Sequence, residues 1–466
     1  MVFSNLIFLY LFLPLCLAAY FLCRSIPAKN AVLIVFSLIF YAWGEPVYLF
    51  LMIAAAAVNW GFGLLIEKRH KRVFLVLALV LDLGCLAVFK YTGFVVENLN
   101  ALFGASIPVP VIALPIGISF YTFQALSYTV DVWRGDVPAQ RSFAKFLLYI
   151  SLFPQLIAGP IVRYADVAGQ IDARSFDAAD AFYGATRFCI GLAKKVLLAD
   201  AAGKVAAQIL DGSAASATTA AAWLGIVLYT FEIYFDFSGY SDMAIGMGRI
   251  FGFKYPENFR RPYTSRSITE FWRRWHISLG SFFRDYVYIP LGGKKKHQLL
   301  NMAVVWALTG LWHGASWNFV LWGLYFFIFI ALEKLFLSKY LEKQPALAHI
   351  YLLLIVFFGW ILFKFESVGD IWCVLKGMFG ANGNAFSDFE TWTAVKSHII
   401  ILLIAVFAST PITKRLSAAF KYRALRNNGA LAVYSVLQFV IPAALLILSA
   451  AALVGNSYNP FLYFRF

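Results

Sequence analysis

Long apolar segments recur along the whole chain, and they constrain its fold more than any other feature. A helix needs about 20 mostly apolar residues to cross a bilayer. Such segments fall near 2–23, 30–43, 47–66, 73–89, 110–130, 144–162, 181–199, 219–248, 299–332, 349–365, 396–411 and 430–454. Only 14% of the residues are charged, whereas soluble domains have roughly 25%. We therefore predict an all-α, polytopic transmembrane helix bundle, with one membrane domain over residues 1–466.

Basic residues in the short connections predict the orientation of this bundle. The runs "EKRHKR" at 67–72 and "KRLSAAFKYRALR" at 414–426 indicate loops on the cytoplasmic side. No Lys or Arg precedes the first apolar segment, so we expect an uncleaved first span whose N-terminus is extracytoplasmic. One last span at 430–454 would return the chain outside, which predicts an even number of crossings and an extracytoplasmic tail at 456–466.

The chain has a net charge of +15 and five cysteines, and both features bear on which partners and metal sites to expect. The basic residues report topology and contact with anionic membrane lipid, so we do not expect nucleic acid as a partner. The cysteines form no C-x-x-C pair, and no H-E-x-x-H sequence occurs, so no metal site is indicated. Neither a Walker loop nor a G-x-S-x-G elbow is present, which leaves an ATPase and a serine hydrolase unsupported.

The apolar segment 299–332 is generous for one span and tight for two. Basic residues flank it on both sides, so we expect a broken or re-entrant pair of helices with its turn near Trp312–Ser316. His313 lies in this stretch, and an ionisable residue inside the membrane is a functional candidate. A buried imidazole could act as a general base, or it could equally be a structural histidine bonded to a carbonyl.

Basic and aromatic residues interleave at helical spacing over 259–297, which predicts interfacial helices at the cytoplasmic surface. Lipid headgroups would explain this pattern, and so would a polyphosphate ligand, because clustered basic groups recognise phosphate. His276 ends the sequence "RRWH" here. The candidate binding residues for a polyphosphate are Arg273, Arg274, Lys294 and Lys295.

Three carboxylates lie inside the apolar stretch 231–248, namely Glu232, Asp236 and Asp242. Glu232 and Asp236 share one face of a helix, since they are four residues apart. We expect these acids to pair with Arg residues such as those of the 260–274 region and so to hold the bundle together. A proton relay is the competing interpretation.

At this point the sequence resembles the membrane-bound O-acyltransferase family. "FWRRWHISLG" and "GLWHGASWNF" are similar to its two histidine regions, and the likeness covers nearly the whole chain. More narrowly, the chain resembles the bacterial branch that O-acetylates alginate and peptidoglycan. The matching stretches are "YAWGEPVY" (41–48), "LPIGISFYTFQALSYTVDVWRG" (114–135), "FPQLIAGPIVRY" (153–164), "FDFSGYSDMAIG" (235–246) and "ENFRRPY" (257–263).

The resemblance implies a fold of helices around a central tunnel, with His313 as the catalytic histidine and His276 as the second histidine. It implies acetyl-coenzyme A as a cytoplasmic donor, an acceptor outside the bacterial inner membrane and no metal. It also implies an extracytoplasmic partner of the SGNH esterase-like type, because no Ser–His–Asp machinery occurs in this chain.

The last residues of the chain read "NPFLYFRF". Aromatic residues gather at membrane interfaces, so an anchor is one interpretation. In a related D-alanylation system a similar hexapeptide carries a Tyr thought to receive the acyl group, and Tyr463 occupies the matching position here. A phenol with a pKa of about 10 needs a base such as His313 to become nucleophilic. Phe461, Phe464 and Phe466 would then insert the tail into the tunnel mouth.

We therefore predict a membrane O-acetyltransferase that passes acetyl through Tyr463 and a partner to a cell-envelope polysaccharide. Peptidoglycan is favoured as the acceptor, because the chain is compact for the alginate type. Alginate or another exopolysaccharide is the alternative, as is another acyl group. A transporter of an acyl or glycan precursor is a third hypothesis, although no internal repeat typical of transporters is visible.

Overall fold

The computed structural model describes residues 1–68, 71–212, 216–455 and 461–462. Within these ranges most residues lie in helices, and no strand occurs. In chain order they are α1 (Leu13–Leu22), α2 (Ile26–Ala42), α3 (Tyr48–Lys68), α4 (Lys71–Phe103), α5 (Ile118–Arg134), α6 (Phe143–Ser151), α7 (Phe153–Leu156), α8 (Tyr164–Asp172), α9 (Ala178–Ala193), α10 (Asp200–Leu210), α11 (Thr219–Ile250), α12 (Ile268–Trp272), α13 (Ile277–Phe283), α14 (Gln298–His313), α15 (Trp317–Leu332), α16 (Ser338–Leu341), α17 (Pro345–Lys364), α18 (Val368–Met378), α19 (Phe389–Ser409), α20 (Ile412–Ala424) and α21 (Asn428–Val454).

Seven helical segments in the described ranges are long and apolar enough to cross a membrane. They are Tyr48–Lys68, Lys71–Phe103, Thr219–Ile250, Trp317–Leu341, Pro345–Lys364, Phe389–Ser409 and Asn428–Val454. Two shorter apolar helical segments, Phe8–Leu22 and Ile26–Ala42, precede them. The predicted all-α, multi-pass membrane fold is confirmed.

The chain divides into two compact units. The first comprises residues 1–188, 241–257 and 281–290, and the second comprises residues 189–240, 258–280 and 291–466. The predicted single domain over 1–466 stays a prediction.

In the first unit, α3, α4 and α5 pack together. Asn59 on α3 donates a hydrogen bond of 2.8 Å to Asp82 on α4, which gives both polar side chains a partner within apolar helices. Most residues of α5 are buried, so this helix belongs to the core of the unit. The predicted apolar segment begins earlier in the sequence, near residue 110. The helix begins only after Gly117, whose φ of 79° suits glycine.

In the second unit, α14 and α15 pack against each other, and α15 packs against α17. Aromatic side chains form the core there. Their ring centroids lie 4.9 to 5.3 Å apart between Trp272 and each of Trp306, Trp322 and Phe326. Such edge-to-face contacts fix ring positions more strictly than aliphatic packing does.

The sequence interpretation of 414–426 as a loop is wrong in its local structure. These residues lie largely on α20, an exposed helix. Lys, Arg, Leu and Ala all have high helix propensity, so a basic run of this composition forms a helix readily. The expected cytoplasmic location of the run is a separate prediction.

Candidate active site

The break predicted near Trp312–Ser316 is confirmed, because α14 ends at His313 and α15 begins at Trp317. Two glycines allow the helices on either side to approach closely. A Cβ on Gly310 would lie 2.3 Å from the carbonyl oxygen of Phe319, and one on Gly323 would lie 2.4 Å from that of Trp306. These paired contacts run in opposite chain directions, so α14 and α15 form a tight antiparallel hairpin with His313 at its turn.

His313 is 7% exposed and is surrounded by aromatic rings. Its ring centroid lies 5.0 Å from that of Trp322 and 5.2 Å from that of Phe363, both nearly edge-on. This packing restricts the rotation of the imidazole. A catalytic base needs such a fixed position, because misplacement by about 1 Å can cost a large part of the rate.

A small cavity lies beside His313. It is lined by Ile233, Asp236, Phe237, Trp275, His313, Trp322, Trp360, Phe363 and Leu462. The wall is mostly apolar with a few polar groups, which is the usual character of a small-molecule site. Trp322 is one of the lining residues, and its indole Nε1 is buried without a hydrogen-bond partner among the described residues.

His276 lies in the connection that follows α12, with φ at 44°. Its Nδ1 is 3.2 Å from the Oδ1 atom of Asn258. That oxygen also accepts the backbone N–H of Ser278, so it is an acceptor and the His276 Nδ1 must be the donor. Nε2 therefore carries the lone pair in the neutral ring. It has no hydrogen-bond partner among the residues described.

His276 is not part of the cavity wall, but two aromatic residues connect it to the wall. Its ring centroid lies 4.7 Å from that of Phe237, which lines the cavity. Trp312 contacts both histidines, with centroid distances of 5.7 Å to His276 and 4.9 Å to His313. Burial lowers the pKa of His276 to about 3, so this histidine is neutral at physiological pH.

A buried charge cluster adjoins the cavity and was missed from the sequence. The Lys195 ammonium lies 2.6 Å from the Asp236 carboxylate and 2.8 Å from that of Asp200. The available signal was the "KK" inside the apolar segment 181–199, since an intramembrane charge calls for a partner.

The predicted partners of Asp236 and Asp242 on α11 were wrong. Asp236 pairs with Lys195, and Asp242 pairs with Arg187 at 2.8 Å, and both of these basic residues lie outside the 260–274 region. Arg187 also pairs with Glu257. Ion pairing of Asp236 and Asp242 was expected and is observed. The basic partners lie on α9 and in the residues that follow α9. Sequence spacing cannot reveal such long-range partners.

The tail reaches the cavity as far as the structure describes it. Phe461 is 1% exposed, and Leu462 lines the cavity together with His313. The backbone N–H of Leu462 donates a hydrogen bond of 2.7 Å to Asp236. Tyr463, Phe464 and Phe466 lie outside the described residues.

The candidate phosphate-binding residues lie away from the cavity wall and differ in their engagement. Arg273, Lys294 and Lys295 are exposed. The positive charges of Arg273 and Lys294 repel that of Lys334. Arg274 instead pairs with Glu270 and donates to the Thr264 hydroxyl at 3.1 Å. No group of three His, Cys, Asp or Glu residues is placed to hold a metal ion within the described ranges.

A family model and several known proteins match the sequence of this chain. The model of the membrane-bound O-acyltransferase family matches residues 47–368. A probable alginate O-acetylase, AlgI, from Azotobacter vinelandii is 39% identical over the full length of both chains. A peptidoglycan O-acetyltransferase from Helicobacter pylori is 32% identical over all of this chain and 98% of its own. A teichoic acid D-alanyltransferase from Bacillus subtilis is 33% identical over 45% of this chain and 56% of its own.

Proposed function

Since the chain belongs to the membrane-bound O-acyltransferase family and is a membrane O-acetyltransferase, we propose that it transfers acetyl from acetyl-coenzyme A to a cell-envelope polysaccharide through Tyr463. One observation carries this proposal. Leu462, the residue bonded to Tyr463, lines the same cavity as His313. This adjacency supports the proposal that the candidate base and the candidate acyl acceptor act in one site.

In the proposed first step, His313 removes the phenol proton of Tyr463 as the phenolate oxygen attacks the thioester carbonyl. The carbon–sulfur bond breaks, and the coenzyme A thiolate recovers the proton from His313. An aryl ester remains on the tail. Because a phenolate is a better leaving group than an alkoxide, this ester retains enough transfer potential to acylate a sugar hydroxyl in a second step.

His276 has an indirect part in this proposal. It contacts Trp312, which in turn contacts His313, and its neutral ring accepts no proton near pH 7. We propose that His276 positions Trp312, and that Trp312 in turn positions the ring of His313. The Nε2 lone pair of His276 remains available to a donor from a bound substrate.

The exposed basic residues are the proposed binding site for the donor. Coenzyme A is a polyanion, and Arg273, Lys294 and Lys295 offer it an exposed cluster of positive charge. Arg274 contributes less directly, because Glu270 already engages its guanidinium. We propose that this face is cytoplasmic, in a bacterial inner membrane, and that both termini are extracytoplasmic. The second step then requires an SGNH-type partner outside.

The acceptor is a polysaccharide in this proposal, and two candidates remain. The compact chain length favours peptidoglycan. The higher identity to alginate O-acetylases supports an alginate-type exopolysaccharide instead. The acetyl content of both polymers, measured in a strain lacking the gene and in the complemented strain, would identify which of them depends on this protein.

Mass spectrometry of the chain incubated with acetyl-coenzyme A tests the relay directly. We expect a mass increase of one acetyl group on Tyr463, absent in Tyr463→Phe. Tyr458→Phe removes the other phenol of the tail and is the matched control. Full polysaccharide acetylation by Tyr463→Phe would refute the relay.

The same assay with His313→Ala separates catalysis from transport. An acetyltransferase loses acetylation at normal protein level. Unchanged acetylation would refute the assignment of His313 and leave the transporter hypothesis standing.

A further inference from the structure

The two oxygens of the Asp236 carboxylate bind two different partners. Oδ1 lies 2.6 Å from the Lys195 ammonium, and Oδ2 accepts the backbone N–H of Leu462 at 2.7 Å. Asp236 is 2% exposed and Lys195 is 2% exposed. The tail is therefore held by a buried group whose orientation is set by an ion pair.

The burial of Asp236 favours the docked tail. This residue is 2% exposed, and its Oδ1 atom pairs with the Lys195 ammonium. A buried carboxylate is costly unless hydrogen bonds satisfy it. The Leu462 N–H supplies such a bond, so undocking of the tail removes a donor from Asp236.

Phe461 provides a second contact beside the hydrogen bond. Its ring centroid lies 4.6 Å from that of Tyr240 at a near-right angle, and the Lys195 ammonium lies 4.8 Å from it. The ring thus takes part in an edge-to-face contact and a cation–π contact. Two of the residues that contact the tail, Lys195 and Asp236, form an ion pair with each other.

We propose that Asp236, oriented by Lys195, is a positioning residue that docks the tail at the cavity so that Tyr463 is presented to His313. This inference rests on the proposed acyl relay for its purpose, whereas the docking itself does not. A relay needs a reproducible docked state and an undocked state that can deliver the acyl group. One hydrogen bond to a carboxylate and one buried ring satisfy both needs, because such contacts are specific and reversible.

Two measurements on the full-length protein in detergent test the proposal. The first is amide hydrogen exchange of the peptide 455–466, and the second is acetyl incorporation on Tyr463. Leu462→Pro removes the N–H that Asp236 accepts, and Leu462→Ala keeps it while also removing the leucine side chain. A hydrogen bond to a charged group is typically strong enough to shift an equilibrium about ten- to hundredfold. We therefore expect exchange about tenfold faster in Leu462→Pro than in Leu462→Ala.

Asp236→Ala removes the acceptor from the other side. Lys195 keeps Asp200 as a partner in this variant, so the ammonium is not left alone. Unchanged exchange in peptides of α14 and α15 would show that the unit remains folded. Leu462→Pro lies in the tail and tests the same bond if Asp236→Ala fails to fold.

Faster tail exchange with reduced acetylation of Tyr463 in these variants supports the proposal. Wild-type exchange in Leu462→Pro overturns the docking. Faster exchange with undiminished acetylation overturns the positioning role. A wild-type protein that never acetylates Tyr463, but whose tail exchanges faster in Asp236→Ala, refutes the proposed function and retains the docking site.

Discussion

His276 donates through Nδ1 to Oδ1 of Asn258, 3.2 Å away, and this bond fixes its tautomer. The neutral ring is then part of the folded state. Its pKa of about 3 lies well below the ordinary value of 6.5, because burial disfavours the imidazolium.

The first prediction concerns the pH dependence of stability. Between pH 6.5 and about pH 3 the unfolded chain binds a proton at His276 that the folded chain does not bind. Stability from this group is therefore complete above pH 6.5 and falls as the pH is lowered, by up to about 1.4 kcal/mol per pH unit. Thermal unfolding in detergent from pH 4 to pH 8 should show a shallower acid slope for His276→Gln. An equal slope in both proteins would contradict this account.

The second prediction concerns the hairpin. Gly310→Ala forces a Cβ to within 2.3 Å of the Phe319 carbonyl oxygen, so the two helices must separate. Overpacking of this kind costs roughly 1–3 kcal/mol. Gly61→Ala on α3 is the matched control, because no atom lies within 4 Å of the position that its new Cβ would take. We expect a lower midpoint of thermal unfolding for Gly310→Ala and no loss for Gly61→Ala.

A comparable loss in both glycine variants would indicate a general effect of alanine on the membrane helices. Acetylation should also fall in Gly310→Ala, because the hairpin positions His313 at its turn. Activity at wild-type level in a destabilised Gly310→Ala protein would show that hairpin packing and the catalytic position are independent.

The sequence predicted the break beside His313 but not the charge cluster that adjoins it. Segment length and flanking basic residues were sufficient for the break, since both are local properties of 299–332. The partner of Asp236 is 41 positions away, and pairing at such a distance depends on tertiary packing. Arg residues of the 260–274 region were nearer in the sequence and more numerous, which is why they were the expected partners.

The tail shows the same division. Its aromatic composition indicated a membrane-interface anchor, and insertion at a tunnel mouth was proposed only together with the family resemblance. Phe461 is buried in the structure. The backbone hydrogen bond from Leu462 to Asp236 could not be predicted, because every residue except proline carries the same N–H. Side-chain patterns identify which segments are buried, whereas a main-chain contact leaves no pattern in the sequence.

The third prediction concerns Trp322. This residue lines the cavity, is 1% exposed and has an indole N–H without a partner among the described residues. A donor in that wall can stabilise the oxyanion that forms when the thioester is attacked. Trp322→Phe keeps an aromatic ring and removes the donor. We expect kcat for acetyl transfer to fall about tenfold to a hundredfold with KM nearly unchanged.

Thermal unfolding measured alongside separates the donor from the packing. If Trp322→Phe lowers kcat while the unfolding midpoint moves little, the N–H accounts for the loss. A wild-type kcat in a stably folded variant would contradict a role for Trp322 in catalysis.

The last prediction concerns the basic residues of the proposed donor site. Arg273 and Lys294 are exposed, so their charges are available to an anionic ligand. Arg274 is already engaged by Glu270 and Thr264. We therefore expect Arg273→Ala and Lys294→Ala to raise KM for acetyl-coenzyme A several-fold without lowering kcat. Arg274→Ala should instead lower stability by up to about 1 kcal/mol, as is usual for a partly exposed ion pair.

Salt provides the decisive measurement, because added ions screen attraction between exposed charges. KM of the wild-type protein should rise with ionic strength, and it should rise less in Arg273→Ala and Lys294→Ala. Lys421→Ala on α20 removes the same charge from another exposed position and is the control. An identical salt dependence in all four proteins would show that the donor binds elsewhere, since neither basic residue would then contribute to the attraction.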